Sequence, residues 1–309
     1  MTFPDYAFFM SSLALLPVRP VGRQASLRRY LMCPPTYFDV SYAINPWMDP
    51  SRPVDNARAQ AQWGSLVQAY RDLGHRVDLL DPVPGLPDMV YAANGATVID
   101  GRVLQARFAN PQRQAEAEHH LAWHRRHGGS YAQRAARTAR AVNEAEGDFA
   151  VLSDRVLAGY GFRTSVAAHR ELAGLTGRPV VSLELVDPRF YHLDVALTVL
   201  DDRTDHIAYY PPAFSAASRQ TLAELFPDAL IADDADAHVL GLNCVSDGLH
   251  VFVPAGADHL MGELVAAGYE PLPIDLSELL RGGGSVKCCT QEIRPYVPSS
   301  QHQERKTRR

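Results

Sequence analysis

Lysine is nearly absent from this 309-residue chain: of its 30 basic residues only Lys287 and Lys306 are lysines, and the basic total falls short of the 35 acidic residues. The resulting net charge of -5 provides no global field for nucleic acid or an anionic membrane. Cysteine is also scarce. Four of them (Cys33, Cys244, Cys288, Cys289) are too few for a disulfide scaffold in a chain of this length, and no C-x-x-C or Cys/His spacing suggests zinc. Long apolar runs are missing too; residues 7–16 are apolar but follow Asp5, lack a basic flank and fall far short of a membrane span. Walker, G-x-G-x-x-G and G-x-S-x-G elements do not occur. With 46% hydrophobic and 21% charged residues the chain reads as a globular, cytoplasmic protein. The expected organisation is a loose extension over residues 1–27, a single α/β domain over 28–298 and a disordered polar tail over 299–309.

What the chain does have is a period. Turn signals at Asp100-Gly101, Ser153-Asp154, Asp201-Asp202 and Asp247-Gly248 recur at intervals near fifty residues, each flanked by β-type runs that predict a hairpin. Helical stretches near 112–126, 166–176, 214–226 and 257–267 follow the hairpins, and three of them lead into a short apolar strand. An earlier helix over about 54–73, with Trp63, Leu66, Val67 and Tyr70 on one face and Gly74 as its stop, supplies half of another unit. The strand at Tyr30 to Cys33 and a C-terminal strand after Gly284 would complete it. Repeated ββαβ units that cover a chain predict one cyclic α/β domain.

Residues of catalytic type fall at matching points of these units: Asn94, Glu144 to Asp148, His192 with Asp194, Asn243, and Cys288. The intervals from 94 to 144, 192, 243 and 288 are 50, 48, 51 and 45 residues, which would bring all five points to one end of a cyclic array. A thiol, an imidazole and carboxylates converging there make a nucleophilic site. Cys288 follows three glycines, and Lys287 beside it would favour thiolate. Strand alternation would let only one of Cys288 and Cys289 face the site. His192 and Asp194, two apart, would share a strand face and allow the carboxylate to hold the imidazole. The acidic run EAEGD at 144–148 suits a cationic substrate, and Arg163 could fork onto a substrate carboxylate. The histidines at 119, 120, 124 and 127 read as a solvated helix face.

The segments that carry these residues, MCPPTYFDVSYAINPWM (32–48), PDMVYAANGATV (87–98), EAEGD (144–148), GFRTS (161–165), FYHLDV (190–195), GLNCV (241–245) and GGGSVKCCTQ (282–291), resemble the guanidino-group-modifying or pentein superfamily. That superfamily includes arginine deiminase, dimethylarginine dimethylaminohydrolase, arginine dihydrolase and glycine amidinotransferase. The resemblance implies a five-bladed α/β-propeller of ββαβ repeats and a cysteine hydrolase of L-arginine or an N-methylated arginine, working through a covalent thiouronium without metal or other cofactor. Cys288 would be the nucleophile and His192 the acid and base. Glu144 or Glu146, with Asp148 and Asp194, would bind the guanidinium, and Asp194 would also orient His192. Arg163 and Arg107 would take the substrate α-carboxylate, with Asn94, Asn243 and Asn45 as further pocket residues. Two departures stand out: Asn94 replaces an aspartate common in deiminases, which resembles dihydrolases releasing ornithine, and Ala145 replaces an expected glycine. A transferase using an amine acceptor and a guanidine-binding protein without catalysis remain alternatives. The partner implied is a small guanidino compound, with no nucleic acid or membrane, and a homo-oligomer is left open.

Overall fold

A computed structural model describes residues 22–127 and 135–295. The expected tail at 299–309 and the apolar stretch at 7–16 lie outside the described residues. Short strands assemble into five three-stranded sheets. They are β3 (Ala96–Ile99), β4 (Arg102–Gln105) and β5 (Ala136–Arg137); β6 (Phe149–Val151), β7 (Val156–Tyr160) and β8 (Val180–Glu184); β9 (Leu197–Asp201), β10 (His206–Tyr209) and β11 (Leu230–Ile231); and β12 (Val245–Ser246), β13 (His250–Pro254) and β14 (Glu270–Ile274). The fifth joins the two ends of the described chain, β15 (Gln291–Glu292), β1 (Arg29–Met32) and β2 (Arg76–Leu79). In every sheet the middle strand runs antiparallel to the first and parallel to the third.

Local chemistry explains the repeat. At the β3–β4 turn Asp100 and Gly101 both take left-handed φ values, 50° and 73°, the two-residue geometry that matches strand twist. The parallel third strand then requires a crossover, and a helix fills it: α1 (Asn56–Asp72), α2 (Glu116–His127), α3 (Val166–Thr176), α4 (Ala216–Leu225) and α6 (Asp258–Ala266), with shorter α5 (Asp234–His238) and α7 (Ser277–Leu280) between units. Asp55 caps α1 by accepting from the Arg58 amide, and the helix buries Trp63, Leu66, Val67 and Tyr70 as its apolar stripe predicts. Tyr70 packs between Tyr30 of β1 and Phe252 of β13, with ring centroids at 4.6 and 4.5 Å.

The first strands of different sheets lie against one another: β15 meets β3 through the Val98–Ile293 bridge and the Gln291 side-chain amide, which donates to the Ala96 carbonyl at 2.6 Å. Ser246 of β12 likewise donates to Leu200 of β9 at 2.6 Å. What precedes each first strand is therefore gathered together. These segments are tight turns, not strands: Ala92–Asn94 before β3, Ala145–Gly147 before β6, Leu193–Val195 before β9, and the turn carrying Cys288 before β15. Cys288 and Cys289 thus lie side by side on one helical turn, with the Cys289 amide donating to the Ser285 carbonyl at 3.1 Å, and both are buried. Strand alternation does not apply to them.

The histidine cluster corrects another expectation. His120 and His124 of α2 are fully buried, while His119 and His127 face outward. His120 lies against Gly95, where any Cβ would collide with its ring, and His124 Nε2 hydrogen-bonds the Gln291 amide. Burial pushes them down to about 3 and about 4, so both are neutral core side chains.

Candidate active site

Asn243 is the organiser of the cysteine turn. Its Oδ1 accepts from the amides of Ser285 (3.0 Å) and Cys288 (3.1 Å), and its Nδ2 donates to Cys288 Sγ at 3.2 Å and to the Asp194 carbonyl at 3.0 Å. The glycines before the turn let Tyr91 approach: a Cβ on Gly284 would stand 2.5 Å from the Tyr91 ring and 2.9 Å from Cys288 Cβ. Gly283 has φ 91°, closed to L side chains, and Asn45 braces this bend by donating to the Gly282 carbonyl at 3.1 Å. Cys288 Sγ donates to Asp194 Oδ2 at 3.3 Å. Burial, then the Asp194 carboxylate, pushes the thiol well up, and burial pushes Asp194 up to about 7. The resting cysteine is a neutral thiol. Lys287 does not change this, because its Nζ is held by Glu146 (2.6 Å) and the Thr290 carbonyl (2.9 Å).

His192 pairs with Glu144 and not with Asp194. Its Nε2 lies 2.8 Å from Glu144 Oε2, and Arg163 Nη1 grips both Glu144 oxygens at 3.1 and 3.0 Å. Burial alone would raise the Glu144 carboxyl; Arg163 and His192 overcome it and hold the group well below the usual carboxylate range. Arg163 in turn donates to the Ile44 carbonyl at 2.6 Å and lies 4.7 Å over the Tyr191 ring. Residue 145, where glycine was expected, is a fully buried alanine at φ 51°, a left-handed conformation that turns Glu144 and Glu146 apart.

Several residues anticipated as substrate ligands are otherwise engaged. Glu146 accepts from Lys287, Arg294 (2.8 Å) and the Glu292 amide (3.0 Å), so Glu144 is the carboxylate at His192. Asp148, pushed up to about 6 by burial, accepts from Thr164 Oγ1 (2.6 Å) and the Leu193 amide (3.1 Å) and ties two of the gathered turns together. Arg107 is exposed and donates to the Arg140 carbonyl, outside the cluster. Arg113, which an arginine-rich sequence did not single out, lies inside the cluster instead. Arg113 is buried, grips Glu116 (2.8 Å) and donates to Asn94 Oδ1 (3.0 Å) and the Asp88 carbonyl (3.1 Å). Glu116 is pushed up to about 7 by burial. Asp88, also missed, is buried, accepts from Tyr42 at 2.9 Å and keeps Oδ1 without a partner. The i,i+3 spacing of Arg113 and Glu116 was the signal available for that pair. Asn94 is oriented by Arg113, with its Nδ2 3.4 Å from the Glu144 carbonyl.

Asp233, Asp236 and His259 could reach one cation, but their hydrogen bonds are to one another and to the start of α5, with none to the Cys288 cluster. No helix of the described residues is long and apolar enough to cross a membrane.

The cluster thus presents a buried thiol against Asp194 and an imidazole backed by Glu144, with two guanidiniums beside them. No family model matches the chain. It is 54% identical over 293 residues to N(G),N(G)-dimethylarginine dimethylaminohydrolase of Mycobacterium tuberculosis, covering 94% of this chain and 95% of the relative. The chain belongs to the dimethylarginine dimethylaminohydrolase family. Within the same superfamily it is 34% identical over 278 residues to the bifunctional arginine dihydrolase/ornithine cyclodeaminase ArgZ of Synechocystis, covering 87% of this chain but 38% of that longer protein. The crystal structure of the N-terminal domain of a substrate-bound cyanobacterial ArgZ mutant superposes with a TM-score of 0.80 at 32% identity, over 87% of this chain and 100% of that one.

Proposed function

We propose that the protein hydrolyses a guanidino C–N bond of L-arginine or an N-methylated arginine, with asymmetric dimethylarginine giving citrulline and dimethylamine. One observation carries this: the Cys288 thiol, 3.3 Å from Asp194, shares its cluster with a His192 held at 2.8 Å by Glu144. A guanidinium beside Asp194 would reverse the charge balance that keeps the thiol neutral, since an opposite charge favours both carboxylate and thiolate. Cys288 Sγ gives up its proton to His192 and forms the C–S bond. His192 gives a proton to the departing nitrogen as its C–N bond breaks, leaving a thiouronium. Water, losing a proton to His192, then adds to that carbon, and cleavage of C–S returns the thiolate. Arg163 and Arg113, the two buried guanidiniums of the cluster, are already paired with Glu144 and Glu116.

Arginine dihydrolase activity is the second reading, favoured by Asn94: Arg113 holds its Oδ1, so a neutral amide stands beside the Glu144 backbone. Incubation with L-arginine and, separately, asymmetric dimethylarginine decides between them. Citrulline with dimethylamine supports the first, ornithine with two ammonia per arginine the second, and no product from either overturns both. The five sheets, alike in strand order, fit a five-bladed propeller closed by β15 and β1 over residues 28–298, and a cytoplasmic location fits the free cysteines.

A further inference from the structure

Glu146 stands between Glu144 and Asp148 in sequence, yet its contacts belong to another part of the molecule. Its side chain is wholly buried and satisfied by three donors, Lys287 Nζ at 2.6 Å, Arg294 Nη1 at 2.8 Å and the Glu292 amide at 3.0 Å. Lys287 immediately precedes Cys288. Its ammonium also donates to the Thr290 carbonyl, and its backbone amide donates to the Asn243 carbonyl at 3.0 Å. Among the described residues the Glu146–Lys287 contact is the only hydrogen bond that runs directly between segment 144–148, which carries the partner of His192, and segment 285–290, which carries the thiol. Both side chains also line a cavity of about 60 Å³ shared with Asp194, Glu292 and Arg294. The residue type is informative as well. In a chain that uses arginine almost everywhere else, one of its two lysines sits here, where its compact ammonium bridges a carboxylate and a carbonyl.

We propose that Glu146 and Lys287 are positioning residues, and that their ion pair fixes the separation between Cys288 and the Glu144–His192 pair. This rests on the reading of Cys288 as nucleophile and His192 as acid and base. Neither residue needs to touch substrate. A half-buried ion pair across 141 residues of sequence holds two turns in register, and loosening it by even an ångström moves the thiol relative to the imidazole.

The test uses the full chain with Lys287→Met, Glu146→Gln and the double variant. Two readouts are taken: steady-state kinetics on whichever of L-arginine and asymmetric dimethylarginine the wild type consumes, and the rate at which iodoacetamide alkylates Cys288 without substrate at pH 8. The expected result for Lys287→Met is a fall in kcat of about 10- to 100-fold with KM changed less than about threefold. Alkylation should speed by about threefold or more as the turn loosens, and the double variant should be no worse than the weaker single. Lys287→Gln repeats the measurement if Lys287→Met does not fold. A lowered melting temperature with kcat and alkylation unchanged makes the pair merely structural and overturns the proposal, as does a raised KM with kcat intact. Because alkylation needs no substrate, a wild type that consumes neither compound would sink the functional reading while leaving this test in force.

Discussion

Around Arg163, the buried Glu144 carboxylate meets a guanidinium at 3.0 Å; around Cys288, the buried Asp194 has a thiol at 3.3 Å and an oxygen with no partner. The difference shows in the acidities. Glu144 is held far below the usual carboxylate range, whereas Asp194 is pushed up to about 7 by the same degree of burial. Glu144 has its countercharge inside the protein, whereas among the described residues no cationic side chain hydrogen-bonds Asp194. A site organised this way spends stability on keeping Asp194 ready, and recovers it only when positive charge enters.

The strongest way to break that comparison is at the thiol. Cys288→Ser is expected to lower turnover by at least about 10³-fold while substrate still binds, measured by kinetics and calorimetry; equal loss in Cys289→Ser would move the nucleophile to the neighbouring residue. On the saturated side, Arg163→Met leaves Glu144 with His192 alone and should cost about 3–5 kcal/mol in urea unfolding. It should also move the acid-unfolding midpoint upward, because a depressed carboxyl contributes stability above its unfolded value and loses it only as pH falls through the folded one. A midpoint unchanged from wild type would show that Arg163 is not what holds Glu144 down.

Asp194→Asn sharpens the contrast from the other side, since it should raise the melting temperature. The carboxyl's folded value lies above its unfolded one, so its stabilising contribution is present below about pH 4 and is lost as pH rises through about 7. The gain from Asn should therefore be greatest near pH 8 and vanish near pH 4, and a gain independent of pH would contradict it.

The period near fifty made the five gathered points legible, and with them Cys288, His192, Glu144, Asp194 and Asn243, because turn residues and hairpins are local signals. Partner choice was not legible. EAEGD holds three carboxylates at successive alternate positions, and only the left-handed Ala145 sends Glu144 toward His192 and Glu146 toward Lys287. Arg113 was hidden by the abundance of arginine, and Arg107 proved to be exposed. The buried histidines of α2 were hidden as well, since only the absence of a Cβ at Gly95 makes room for His120.

Sequence by itself thus determined the repeat, the family and the chemical types brought together, since these follow from backbone propensities and from residue identity at fixed intervals. Tertiary structure alone decided which carboxylate serves the imidazole, which guanidinium is buried, and that the resting thiol is neutral. Each of these depends on contacts between segments far apart in the chain and on how far water is excluded from them, and neither quantity is written in the local pattern of residues.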